Sequence, residues 1–413
     1  MHVVIRRCAG HLLVLSSALW AGSAMAFVQD LTAVFRPDPA RPDQNRFINT
    51  TPSSGYCSTH VETCQAYQMF SIRLPITARS SGPMEANPSD VRRGAYWKVP
   101  AAWRPLTVIN AFGEQETVEI RISGLGSRYA LDRSAVELVG GGVSWGTGHR
   151  MLWGSAWASA PQPCTNSGVV SYVAEKYAFL WKTPVEAACV KLQKYAIPGM
   201  GYDYMDIAYE LRTPNPLQMS TGVYSGVLNY SLGPYQDFDL GDVMLPSDSV
   251  LTLNFSLDVE HMLKVDFAPG ANRIELLPEG GWQAWLHQGR PPARLYRDVA
   301  YRIAASSRFK MQLECSLVIG NTCGLRNADG DEVPLQVAVT LPNGLTDEFG
   351  AAITQRPLRL DGSGSTLFQP AYYVNNRPAS LHFEVEKTHV AEMLENSGST
   401  YSGIVTVIWD SEV

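Results

Sequence analysis

The sequence predicts a mainly β protein made of two sandwich-like units, and three observations lead there. Apolar and polar residues alternate with period two in many short runs, as half-buried strands require. Gly, Pro, Asn and Asp separate those runs at short intervals, the turn spacing of β-sandwiches. A Tyr-Ser-Gly phrase beside an apolar run occurs twice, as VYSGVLNYS (223–231) and TYSGIVTVIW (400–409).

The N-terminus fits a secretory leader. His2, Arg6 and Arg7 precede the apolar run LLVLSSALWA (12–21), and Ala24-Met25-Ala26 has the small-x-small pattern of a cleavage site before Phe27. The run is too short to span a bilayer. Residues 1–26 are therefore expected to be a signal peptide and the mature chain to be exported and soluble.

Setting aside Cys8 in the leader, six cysteines remain, at 57, 64, 164, 189, 315 and 323. An even count in an exported chain reads as disulfides. Three sequence-local pairs make Cys57–Cys64, Cys164–Cys189 and Cys315–Cys323 the economical pairing. The tight CxxC spacing of zinc sites does not occur, and neither metal nor cofactor is expected. Without the leader's two arginines the formal charge of −6 becomes about −8. Wholesale nucleic-acid binding, which needs a basic face, is thereby disfavoured.

Along the chain, ETVEIRISG (116–124) turns Val118, Ile120 and Ile122 to one face and Glu119, Arg121 and Ser123 to the other. SVLTLNFSL (249–257), MLKVDFAP (262–269), RIELLP (273–278), VPLQVAVTLP (333–342), LHFEVEK (381–387) and YSGIVTVIW (401–409) read similarly. One helix is expected, over 183–198, with Pro184 near its start and Pro198 after its end.

The repeated phrase suggests the layout. After the first copy a further strand, 249–257, follows and closes the first unit. Asp258–Glu260 reads as a short linker, and HMLKVDF opens the second unit. After the second copy no such strand follows. The second unit, 261–413, is thus expected to lack its last strand and to present a groove that a strand from another chain would fill. Tyr401, Val405, Val407 and Trp409 would line it.

The segments TGVYSGVLNYSL, LTLNFSLDVEHMLKVDFAPG and YSGIVTVIW resemble the tip adhesins of class 5 chaperone–usher fimbriae, the colonisation-factor and cable-pilus type or CblD-like pilus initiators. The likeness is clearest from about Met219 onward. It implies two Ig-like sandwiches: an N-terminal adhesin domain (27–257), a short linker (258–260) and an incomplete pilin domain (261–413). It further implies a periplasmic chaperone, an outer-membrane usher, a major pilin subunit as strand donor and a host receptor, possibly a glycan, as partners. The protein would act at the pilus tip, on the cell surface. In the best-known member of the family, receptor binding depends on an Arg ahead of the first disulfide, which Arg46 could match, and on an Arg-Arg pair that falls here on Pro234-Tyr235. That departure argues against carrying the family's receptor specificity over to this chain.

Three further motifs bear on function. GGGVSWGTGHR contains Gly142-Val143-Ser144-Trp145-Gly146, a formal G-x-S-x-G, with His149 nearby. A nucleophile elbow needs a helix directly after its Ser, and WGTGHRMLWG reads as too Gly-rich for one. A secreted carbohydrate- or ester-processing enzyme with Ser144 as nucleophile is nonetheless the alternative function. Trp145, His149, Arg150, Trp153 and Trp157 could also offer aromatic and basic groups to a receptor, or be wedges between sheets. Arg92-Arg93 reads as a solvated basic pair. NADGDE (327–332) lacks the Gly and Glu of a calcium loop and reads as a turn. FVQDLTAVF (27–35) reads as the first strand of the first unit, or as a donor strand if the chain is an internal pilus subunit.

Overall fold

The computed structural model describes residues 26–289, 291–361, 367–396 and 398–411. Residues 1–25, which take in most of the expected signal peptide, lie outside them. The chain is mainly β, and its buried apolar side chains gather into two large clusters, one drawn from Leu31 to Val259 and the other from Leu295 to Val390.

The first cluster is covered by strands β1 (Ala26–Phe35), β2 (Arg104–Ile109), β3 (Gln115–Leu131), β4 (Lys176–Lys182), β5 (Met205–Arg212), β6 (Gly222–Ser231) and β7 (Val250–Val259). They form one large sheet in which β3, β2, β6, β7 and β1 follow one another. β1 pairs parallel to β7 over ten residues, from Ala26↔Val250 to Phe35↔Val259. The period-two pattern is the cause: Leu251, Leu253, Phe255, Leu257 and Val259 face inward. The 17-residue β3 pairs with β2 at its start and with β4 and β5 further on, so one strand serves two parts of the sheet.

Helix α1 (Trp145–Trp153) corrects the reading of WGTGHRMLWG as non-helical. Its glycines serve close packing rather than turning. A Cβ on Gly146 would stand 2.9 Å from the Tyr172 hydroxyl, and one on Gly148 would stand 3.0 Å from Val136 N. Ser144 caps its N-terminus, and Gly154, at φ +71°, ends it in the left-handed conformation. The helix expected over 183–198 is absent. That segment is irregular except at Cys189–Lys191, which pairs antiparallel with Ala95–Trp97, and Cys189 is tied to Cys164. Local helix propensity yields there to a strand partner and a crosslink.

The second cluster lies between an eight-stranded and a four-stranded sheet. The first runs in the order β8 (Leu263–Phe267), β9 (Leu295–Ala305), β14 (Val374–Val385), β12 (Glu332–Thr340), β11 (Thr322–Arg326), then Val318–Ile319. The second runs Leu345–Asp347, β13 (Leu367–Pro370), β10 (Phe309–Cys315), β15 (Val405–Ser411). Helix α2 (Lys387–Glu395) places Val390 in this core. Of RIELLP only Leu277–Pro278 is strand, and NADGDE is the β11–β12 turn, held by Asn327 Oδ1 accepting from Asp329 N and Asp331 N.

β7 continues through Asp258 and Val259, so of the expected linker only Glu260 lies outside strands. At this junction Glu260 takes a bidentate pairing from Arg36. His261 binds Met219 O on one side (2.8 Å) and Ser306 Oγ on the other (3.1 Å). Three disulfides occur: Cys57–Cys64, Cys164–Cys189 and Cys315–Cys323.

Candidate functional site

Among the described residues β15 is the outermost strand of its sheet and pairs with β10 alone, in antiparallel register from Cys315↔Val405 to Phe309↔Ser411. Alternate N–H and C=O groups on its far side therefore have no ladder partner among the described residues. β8 stands likewise at the edge of the other sheet, paired among the described residues with β9 alone. The core between these two edges is incompletely covered. Val405, Val407 and Trp409 from β15, and Leu263 and Val265 from β8, pack against the second cluster while remaining half-buried. Tyr401, Ala271, Ile274 and Leu276 are likewise partly buried against the second cluster. Thr406 and Asp410 alternate outward.

One end of the seam is closed by rings. Phe267 and Trp409 meet edge-on at 5.8 Å, Tyr301 lies 5.6 Å from Trp409, and Phe267 and Tyr301 are 5.1 Å apart. Burial holds the Tyr301 phenol well above its ordinary pKa, so it stays protonated.

The second Tyr-Ser-Gly sits where β15 is about to start. Ser402 makes a two-way backbone bridge to Arg326, and a Cβ on Gly403 would meet Gly324 O at 2.6 Å. The first copy differs in lying inside β6, yet its glycine has the same constraint: a Cβ on Gly226 would meet Thr107 O at 2.6 Å. In both places a neighbouring backbone comes too close for any side chain.

The residues considered for receptor contact divide. Trp145 is 53% exposed, and Arg150 and Arg46 are also at the surface. His149, Trp153 and Trp157 are buried, which corrects the expectation that His149 and Trp153 face a receptor. They belong to a hydrogen-bonded chain: Trp153 Nε1 donates to the Tyr129 hydroxyl (3.2 Å), which donates to His149 Nδ1 (2.6 Å), and His149 Nε2 donates to Val173 O (2.7 Å). Burial lowers the His149 pKa, keeping the ring neutral and this tautomer fixed. Both ring nitrogens are thus committed away from Ser144, whose hydroxyl instead donates to Thr147 Oγ1 at 3.0 Å and accepts from Thr147 N. A Ser144–His149 nucleophile pair is not assembled.

Arg92 is not a solvated loop residue. Its guanidinium donates to both oxygens of Asp239 (2.8 and 3.0 Å) and to Asp242 (2.8 Å), with its side chain 13% exposed. Its outer face stacks on Tyr235 at 3.6 Å, so the position where the resemblance places an Arg pair carries an exposed tyrosine held by arginine. That contact has no signal in the sequence, because 143 positions separate its partners. Arg93 lies 3.8 Å from Glu85.

Among the described residues no cluster of three or more His, Cys, Asp or Glu could hold a metal, and no helix is long and apolar enough to cross a membrane. No family model and no curated protein matches the sequence. A solved structure with some similarity is a chaperone–tip adhesion subunit pre-assembly complex of the archaic chaperone-usher Csu pili of Acinetobacter baumannii. It shares 9% identity over 94% of this chain and 98% of that one, at a TM-score of 0.21. A score of that size does not establish a shared fold.

Proposed function

We propose that this chain is an exported subunit of a chaperone–usher fimbria that acts at the pilus tip, in adhesion and in initiating assembly. The observation that carries the reading is the open seam between β8 and β15. Two edge strands with unpaired backbone flank a row of half-buried apolar side chains, the geometry that accepts an extended strand. A periplasmic chaperone would fill the seam first and the donor segment of the next pilin would replace it at the usher. The residues up to Val259 would form the adhesin domain and those from His261 the pilin domain. Arg46, Trp145 and Arg150 are the surface residues we assign to receptor contact.

The test is to supply the strand in cis, by a flexible linker after Val413 followed by a pilin donor segment. The reading expects the fused protein to become monomeric and to melt at higher temperature than the unfused chain. No change in either property would count against it.

A further inference from the structure

The outer face of the first unit's sheet is not of one kind. Where β3 pairs with β5, the outward positions carry long, ion-paired side chains, Glu119 with Arg212 and Arg121 with Glu210. Where β1, β7 and β6 lie side by side, two cross-strand rows carry short side chains with a single charge among them. Asp30, Asn254 and Val227 form one row, and Thr32, Ser256 and Ser225 the next. These six residues line a cavity of about 460 Å³, a size that holds a small ligand. Leu31, Tyr224 and Phe255 face inward, which fixes their strand neighbours on the outer face. Asn254 Nδ2 donates to Asp30 Oδ1 at 3.0 Å, and Thr32 Oγ1 accepts from Thr50 Oγ1 at 2.9 Å. Among the described residues, Asp30 Oδ2, Asn254 Oδ1 and the hydroxyls of Ser225 and Ser256 have no protein partner. Four polar groups thus share one hollow with hydrogen-bonding capacity to spare.

We propose that this hollow over β1, β7 and β6 binds a neutral sugar residue of a glycan. Each sugar hydroxyl donates and accepts, so neighbouring hydroxyls match a carboxylate oxygen beside a carboxamide oxygen, and serine hydroxyls turn to suit either role. Bonds to the ionised Asp30 are the stronger ones. Val227, 59% exposed, offers the C–H face of the ring an apolar contact. The ligand is neutral because no Lys or Arg lines the cavity, while Asp30, with Asp258 one row beyond Ser256, repels an anion. A cation would need more than this one carboxylate, already bonded to Asn254, to offset its desolvation. The inference rests on the first unit being the adhesin and adds a ligand class and a contact site besides Arg46, Trp145 and Arg150.

The experiment screens the full mature chain against an array of neutral hexose- and N-acetylhexosamine-terminated oligosaccharides and their sialylated and sulfated counterparts. Neutral glycans should bind, and their charged counterparts more weakly. Asp30→Ala should weaken binding of the selected glycan by about tenfold or more, as loss of a hydrogen bond to a charged group allows. Asp30→Asn, which keeps the shape without the charge, should fall between. Ser225→Tyr, which fills the hollow and leaves Asp30 in place, should abolish binding. All three alter outward side chains, so melting temperatures read in parallel should stay close to the parent's and separate loss of the site from loss of the fold. Binding confined to sialylated or sulfated glycans would overturn the site while leaving the first unit an adhesin. So would neutral binding that these variants leave unchanged and Trp145→Ala or Arg150→Ala removes, or adhesion of fimbriated cells by a chain that binds no glycan. A chain that binds no glycan, and whose deletion leaves fimbriated cells fully adherent, would remove the adhesin reading and the inference with it.

Discussion

The Trp409 indole stands edge-on to the Phe267 ring, their centroids 5.8 Å apart, and this contact joins the free edges of the two sheets of the second unit. It marks where the sandwich is closed; beyond it, toward Val407 and Val405, the same edges flank a core that is only half covered.

Val407→Asp should therefore block strand insertion. The side chain packs inward from β15 opposite Leu313, and a carboxylate there would be buried unpaired under an inserted strand, at a cost of about 3 kcal/mol or more. Affinity for any apolar donor peptide should fall by about a hundredfold or more. Thr406→Asp, on the outward face, is the control and should change it little.

Alanine at Gly226 and at Gly403 should each cost about 1–3 kcal/mol, because each Cβ would stand 2.6 Å from a backbone carbonyl that cannot swing away. Denaturant unfolding of the two variants measures this. Gly113→Ala, where a Cβ meets nothing within 4 Å but φ is +84°, separates strain from clash.

Acid should destabilise the protein through two histidines, the buried His149 and the half-buried His261. Burial lowers the folded pKa of both His149 and His261 below the ordinary 6.5. The unfolded chain then binds more protons as pH falls, so their contribution is full above about pH 6.5 and is lost on acidification below it. At the junction His261 Nε2 donates to Met219 O and its Nδ1 accepts from the Ser306 hydroxyl, which protonation would disrupt. Melting temperature should decline between pH 7 and 5, and His261→Asn should reduce the slope.

Ser144→Ala should remove a helix cap and nothing catalytic. The expected loss is about 1 kcal/mol. An esterase turnover that disappears in this variant would revive the nucleophile reading.

Strands were legible where a single face is buried. Val118, Ile120 and Ile122, or Leu251 through Leu257, show their period because solvent lies on one side and core on the other. The failures have physical causes. In 145–153 glycine marks close packing against Tyr172 and Val136, and composition alone cannot tell that from a turn. In 183–198 a helical pattern gives way to the Cys164 bridge and to pairing with Ala95–Trp97, both long-range. For the site, the alternation of Val405, Val407 and Trp409 was readable, while β8 across the seam and Tyr301 beneath it depend on sheet order. The buried His149–Tyr129 chain was unreadable for the same reason.

Hydrogen exchange along Val405–Ser411, with and without an added donor strand, tests the central claim most directly. In the free protein the amides of β15 that point away from β10 should exchange quickly, and those paired with β10 slowly. A bound donor should slow the first set by orders of magnitude and leave the first unit unchanged. Full protection of all β15 amides in the free monomer, unaltered by any donor, would contradict an open seam.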